Sequence, residues 1–386
     1  MRIGVRAHVL DERVGGHANY LRNILRALPK VDQEDDYTLF LNTSLLTDVV
    51  PNTERMRHVV LPLRYVRVRI PLWRNGLTFT DVIVPNGGAS LALVRARIDV
   101  VHVQLAAPLL FGAPLVLTLH DIAYERYPQF FMPDVVTKLR VRVPLTVRRA
   151  AAVLTGSEFS KKDIVRRYCV PPEKVVVAHY GVDSIYRPLN DASRLFAACE
   201  RYGTSDRFIL CVGDLQPRKN LRTLIDAYVR LRRADAIRHK LVLVGRKAWL
   251  YDDIFAVARA SGYADDLVFT DYVPDEDLVA LYNAAELFVY PSIFEGFGLP
   301  PLEAMACGTP VVCSNTSSLP EVVGDAALTV APLDAEALAD AIAAALGSST
   351  LRDRLSAQGL RRAAMFPWES TARIVHDVYR SVARTR

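Results

Sequence analysis

A chain of 386 residues with 51% apolar and 23% charged residues has the length for two domains of ordinary size and the composition of a globular protein. No apolar run reaches the roughly 18 residues that a membrane-spanning helix needs. The five cysteines (Cys169, Cys199, Cys211, Cys307, Cys313) are odd in number and form no C-x-x-C pair. They argue against a disulfide framework or a zinc site and fit a reducing cytoplasm. The net charge of +6 is uneven, with +9 on residues 1–188 and −3 on residues 189–386. A basic front half predicts an acidic partner or surface. No zinc-finger, basic-zipper or RNA-binding pattern accompanies it, so nucleic acid is not expected.

Residues 2–5 predict a first strand, entered directly and without a signal-peptide pattern. A helix follows, with Leu21, Ile24, Leu25 and Leu28 on one face. Gly15 and Gly16 stand just ahead of it. A glycine pair there permits close backbone approach to a ligand, and a plain strand–helix turn is equally consistent. Residues 37–41 predict a second strand. Between 61 and 73 the run L-P-L-R-Y-V-R-V-R-I-P-L-W alternates apolar residues with arginines, which suits an edge strand with a basic face or a surface segment. Tyr65 and Trp73 among Arg64, Arg67, Arg69 and Arg74 would suit an interfacial contact. Residues 99–103 and 115–119 read as buried strands. His120 and Asp121 follow at the carboxyl end of the second, where α/β sheets display ligand groups. His102 reads as structural or acceptor-side. Residues 138–149 predict a basic, apolar helix, broken or kinked near Pro144. A strand at 151–155, a helix capped by Ser157, and a strand at 175–178 complete this half.

The second half opens with F-I-L-C-V-G at 208–213 and D-L-Q-P-R-K-N-L after it. Arg218 offers a bidentate phosphate contact and Lys219 a mobile point charge. Cations are disfavoured at a helix start unless an anion sits there, so a bound ligand explains the pair better than a basic pair on a solvated helix start. Strands at 240–245 and 267–270 and a helix at 275–285 continue a β–α alternation that predicts a parallel sheet. The stretch 288–312 then reads F-V-Y-P-S-I-F-E-G-F-G-L-P-P-L-E-A-M-A-C-G-T-P-V-V, as strand, loop, helix, turn and strand. Its loop carries Glu295, Gly296, Phe297 and Gly298. The helix starts around Leu299, Pro300 and Pro301, and Glu303 lies in its first turns. Two carboxylates supply acceptors for sugar hydroxyls, and the helix start beside them supplies N–H donors for a diphosphate. A solvated loop acid followed by an acid stabilising the helix, worth about 0.3–1 kcal/mol, is the alternative. A short helix at 319–323 precedes helices at 333–346 and 351–364, and a last helix places Ile374, Val378 and Val382 at four-residue steps.

The run E-G-F-G-L-P-P-L-E resembles the two-glutamate motif of the retaining glycosyltransferases of family 4. Neighbouring residues agree: P-S at 291–292, E-A-M-A at 303–306 and G-T-P-V-V at 308–312. The resemblance covers nearly the whole chain, strongest over 207–331 and weakest over 44–97. It implies an α/β protein of the GT-B type, with two Rossmann-like doubly wound domains facing across a cleft. Residues 1–184 would form the acceptor-side domain and 185–368 the nucleotide-sugar domain, with the helix at 369–386 crossing back to the first. It places Glu295 at the donor sugar, Glu303 at the ribose hydroxyls and His120 beside the transferred sugar. Gly15, Gly16, Arg218, Lys219, Gly296, Phe297, Gly298 and Leu299 would line the donor site. Asp214 departs from the family pattern, since many members carry Arg or a neutral residue beside that glycine, and an acid would not itself bind phosphate. The implied activity is hexose transfer from a nucleotide-diphospho-sugar, loosely GDP-mannose, to a lipid-linked or growing surface glycan. The basic front half would meet an anionic membrane face in the cytoplasm. Basic residues would neutralise the leaving diphosphate, so no metal and no cofactor are expected. A sugar phosphorylase, a sugar-nucleotide epimerase and a non-catalytic nucleotide-binding module share the architecture and remain alternatives.

Overall fold

The structure is a computed structural model that describes residues 1–12, 15–41, 53–60, 65–73, 77–85, 97–107, 113–204 and 207–384. Seven parallel strands form the first sheet, in the order β3-β2-β1-β6-β7-β8-β9. They are β1 (Arg2–Arg6), β2 (Asp36–Leu41), β3 (Met56–Val60), β6 (Val100–Gln104), β7 (Leu115–Thr118), β8 (Ala152–Thr155) and β9 (Val175–Val177). Every residue of β6, β7 and β8 is buried, as expected where helices cover both faces of a parallel sheet. The second sheet has six parallel strands in the order β12-β11-β10-β13-β14-β15. These are β10 (Phe208–Val212), β11 (Lys240–Val244), β12 (Leu267–Asp271), β13 (Leu287–Tyr290), β14 (Val311–Ser314) and β15 (Leu328–Val330). Strand order reverses between β1 and β6 and again between β10 and β13. Ligands bind at such points, outside the carboxyl ends.

The segment read as an edge strand or a surface segment is β4 (Tyr65–Trp73), which runs antiparallel to β5 (Leu77–Pro85) in a separate two-stranded sheet where each strand is an edge. Arg64 and Arg74 lie outside the described residues. The helix expected to be broken or kinked near Pro144 is not broken there and runs as one helix over Pro133–Arg149. Val143 and Val147, either side of the proline, are fully buried and hold the helix to the sheet, and Arg140 is exposed, so the carbonyl that loses its partner can turn to solvent.

The last helix, Trp368–Arg384, returns to the first sheet. It packs along the helix Gly16–Val31, whose Leu21, Ile24, Leu25 and Leu28 are all buried. Lys30 donates to Glu369 at 2.8 Å, His376 Nε2 meets Asp35 Oδ2 at 2.8 Å, and His102 Nδ1 meets the Tyr379 hydroxyl at 2.6 Å. His102 also bonds Thr118 Oγ1 at 2.7 Å, and burial pushes its pKa down to about 4, so it serves as a neutral tie between sheet and helix. Among the described residues no helix is long and apolar enough to cross a membrane, and the five cysteines are all free, four of them buried.

Candidate functional site

The site is built where the carboxyl ends of β10 and β13 meet. β13 ends at Tyr290, and the loop after it carries Ser292 and Glu295. β10 ends at Val212, and the turn Pro217–Lys219 leads into the helix Leu221–Arg233. These two loops interlock. Ser292 Oγ lies 3.1 Å from Arg218 O, Ile293 N–H donates to the same oxygen at 2.9 Å, and Arg218 Nη1 donates to Phe294 O at 2.6 Å.

At the junction, Glu295 accepts four bonds. Lys219 Nζ (2.7 Å), the Tyr290 hydroxyl (2.9 Å) and Ser292 Oγ (2.6 Å) reach Oε1, and Arg218 Nη1 reaches Oε2 at 2.8 Å. The three charged side chains are only 10–14% exposed. Burial alone would raise the Glu295 carboxyl, but the charges of Arg218 and Lys219 outweigh it and hold the pKa down at about 2. Burial lowers Lys219, against the pull of Glu295. Glu295 is therefore the anion that this basic helix start requires, and the Arg218–Lys219 pair does not by itself demand a bound ligand. Two cations share the Glu295 carboxylate, with Asp121 a further acid near Arg218 and Asp214 near Lys219.

Glu303 stands apart from this cluster. It lies in the helix Leu299–Ala306, and its carboxylate accepts from the Tyr282 hydroxyl at 3.0 Å. Burial, with Asp275 and Asp183 nearby, pushes its pKa up to about 8 despite that bond. The two glutamates thus occupy opposite electrostatic settings, one paired with cations and the other facing acids. Pro300 and Pro301 carry no N–H, so the helix start offers the Gly298 and Leu299 amides rather than a full set of donors. The Phe297 ring is buried against Tyr180 (5.0 Å between centroids) and Phe366 (5.9 Å), which leaves only its main chain for a ligand.

The first domain closes over the Glu295 loop. Ser157 Oγ and Ser160 Oγ both donate to Gly296 O, at 2.7 and 3.1 Å. A β-carbon at Gly296 would stand 2.5 Å from His120 O, so glycine is required for this approach. Glu321 accepts from the Glu158 and Phe159 amides at 2.8 and 3.2 Å and so caps the first domain's helix Glu158–Tyr168 from across the cleft. Trp249 Nε1 donates to Phe130 O at 2.6 Å.

His120 brings its main chain to the cleft, but both ring nitrogens are engaged within the first domain, Nδ1 with the Tyr180 hydroxyl and Nε2 with Gln104 Oε1 at 2.8 Å. Burial holds the ring neutral, well below the usual imidazole range. His17 stacks on it at 4.4 Å, from the helix that Gly15 caps. Sequence reasoning located Arg218, Lys219 and Glu295 and missed Tyr290, Tyr282, Ser160 and His17. Ser292, three residues before Glu295, was the one local signal for the acid's support. Among the described residues, the one grouping of histidine and carboxylates close enough to hold a cation is Asp32, Asp35 and His376. It lies in the seam under the last helix, where His376 and the Met1 ammonium already balance Asp35.

The profile described as "Glycosyl transferases group 1" matches residues 200–362, and that described as "Glycosyltransferase Family 4" matches residues 14–185. The chain belongs to the family 4 glycosyltransferases. The O-antigen chain mannosyltransferase B of Escherichia coli is 37% identical over 266 residues, which span 69% of this chain and 70% of that protein. The serotype-specific mannosyltransferase WbdA of Escherichia coli is 33% identical over 229 residues, 58% of this chain and 28% of that longer protein. The Anabaena protein HepE, solved in complex with UDP-glucose, superposes with a TM-score of 0.74 at 20% identity, covering 99% of this chain and all of that one. At that identity the likeness concerns the fold, which is GT-B.

Proposed function

We propose that this glycosyltransferase transfers a hexose, with retention of configuration, from a nucleotide-diphospho-sugar to a lipid-linked or growing surface glycan, and that the donor is GDP-mannose. The observation that carries the donor site is the buried Arg218–Lys219–Glu295 cluster, two cations at the carboxyl edge of the second sheet. Glycosyl transfer passes through an oxocarbenium-like state while negative charge grows on the departing diphosphate. Lys219 and Arg218 stabilise that charge, and Glu295 sets their positions and faces the sugar ring. Gly15 and Gly16 leave room for the diphosphate on the opposite wall, and Glu303 takes the ribose hydroxyls. Resident cations make a divalent metal unnecessary in this scheme. The choice of mannose and of a surface glycan is supported by the mannosyltransferases to which the chain is similar.

A thermal-shift screen against GDP-, UDP-, dTDP- and ADP-sugars, with and without EDTA, tests the donor. GDP-mannose is expected to raise the midpoint through linked binding, EDTA to leave the shift unchanged, and NMR of the transferred sugar to show the donor's anomeric configuration. No shift with any nucleotide-sugar, together with phosphorolysis of a glycan by inorganic phosphate, would replace this reading with a phosphorylase.

The same proposal puts the acceptor at an anionic membrane face. The helix Pro133–Arg149 exposes Val141 (60%) and Leu145 (51%) to solvent beside the exposed basic residues Lys138, Arg142 and Arg148. A basic and apolar face of this kind suits a headgroup layer. The protein is expected to co-sediment with phosphatidylglycerol-containing vesicles at low salt, to be released at high salt, and to lose binding when Val141 and Leu145 are both changed to Glu. Failure of the wild-type chain to bind such vesicles at low salt would remove the membrane from the proposal.

A further inference from the structure

Beside the Glu295 cluster, a second ion pair faces the cleft. Asp214 follows β10 and Arg246 follows β11. Main-chain bonds fasten these strand ends together: Gly213 N–H to Val244 O and Leu215 N–H to Arg246 O, both 2.8 Å, and Ala248 N–H to Leu215 O at 3.2 Å. The two turns touch, since a β-carbon at Gly245 would stand 2.1 Å from Gly213 O, a separation only glycine allows. The Gly213 turn also lies against the stem of Lys219, whose Cε is 3.2 Å from where a β-carbon would sit. Arg246 Nε and Nη2 each reach an Asp214 oxygen at 3.4 Å, with the two side chains 40% and 31% exposed. This is a long, half-solvated pair that leaves the guanidinium available to a stronger acceptor. Its outer edge crosses the cleft, and a β-carbon at Gly15 would stand 4.0 Å from Arg246 Nη2. The guanidinium, with Nε and Nη2 turned to Asp214, therefore lies between the Gly15 turn of the first domain and the Asp214 turn of the second.

We propose that Arg246 is a further cationic contact to the donor's diphosphate, and that Asp214 holds its guanidinium at the cleft and limits how tightly the phosphates are kept. The proposal rests on the donor reading given above. A guanidinium can present two N–H groups to a phosphate. Asp214 competes with the phosphates for those N–H groups and repels them. The two members of the pair therefore act on diphosphate binding with opposite sign.

Calorimetric titration of the full chain with GDP and with UDP tests this. For the nucleoside diphosphate that the wild-type chain binds, Arg246→Ala is expected to weaken binding about tenfold. Arg246→Lys, with a charge but no fork, should recover part of it. Asp214→Asn is expected to tighten binding several-fold, and that gain should shrink when combined with Arg246→Ala. If the pair is only a strut between strand ends, both single variants will lower the melting temperature and shift affinity in the same direction, which overturns the proposal. Binding that Lys219→Ala abolishes and Arg246→Ala leaves untouched overturns this inference alone. A wild-type chain that binds neither GDP nor UDP overturns the donor reading and this proposal with it.

Discussion

Glu295→Ala is expected to cost the fold about 3–5 kcal/mol, because it strands two buried cations that now share one carboxylate. Arg218 and Lys219 are 14% and 11% exposed, so water cannot replace the lost partner. Their mutual repulsion is then uncompensated, and the Tyr290 and Ser292 hydroxyls lose an acceptor as well. At 2–4 °C per kcal/mol for a domain of ordinary size, the melting temperature should fall by roughly 10 °C. Transfer should fall by about 10²–10³-fold or more, since the cations that face the leaving group lose their positions. Glu295→Gln keeps the shape and the Ser292 bond but removes the charge, and should fall between wild type and Glu295→Ala in both measurements. The anionic product gives a further readout. A nucleoside diphosphate supplies the charge that alanine removed, so it should raise the melting temperature of Glu295→Ala by more than it raises that of the wild-type chain. A melting temperature for Glu295→Ala within a degree of wild type would mean that the three side chains are not paired as described.

The strand–turn–helix grammar around residues 208–221 and 288–303 was readable because each element is local: a short apolar run, a glycine, a proline at a helix start. That grammar put Arg218, Lys219 and Glu295 at strand ends. It could not show that Lys219 and Glu295 meet, because 76 residues separate them and the contact depends on β10 lying next to β13. Sequence reasoning put a bound ligand beside the basic pair, and the structure adds an anion of its own there, the Glu295 side chain. The break expected near Pro144 is absent for a related reason. A proline's local penalty is visible in sequence, whereas the buried Val143 and Val147 that outweigh it are visible only after folding. Closure of the first domain over Gly296 was equally hidden. Ser157 reads as a helix cap, and it is one, accepting from the Ser160 amide at 3.1 Å. Its second bond, to Gly296 O, joins residues 139 positions apart. The resemblance named both glutamates as one motif, and nothing in the motif distinguishes their surroundings, which the Tyr282, Asp183 and Asp275 environment of Glu303 makes opposite to that of Glu295.

That difference has a measurable consequence in pH. Glu303 is 6% exposed and its carboxyl is raised from 4.5 to about 8, mainly by burial. An acid with a raised pKa in the folded state stays protonated there while the unfolded chain has already released its proton. Its contribution to stability is fully present below pH 4.5, declines as pH rises, and is lost by about pH 8. At 1.36 kcal/mol per pKa unit, the whole loss is on the order of 5 kcal/mol. Glu303→Gln cannot ionise, so it should match the wild-type melting temperature near pH 5 and exceed it by several degrees near pH 9. A difference between the two proteins that does not change from pH 5 to pH 9 would show that Glu303 does not titrate in this range. The donor should act on the same equilibrium. Ribose hydroxyls that donate to Glu303 favour its ionised form, so bound nucleotide-sugar should pull the pKa back toward the carboxylate range. The stabilisation that donor gives the wild-type chain should therefore grow between pH 6 and pH 9. In Glu303→Gln it should be weaker and independent of pH, which separates a carboxylate that meets the ligand from one that is merely buried.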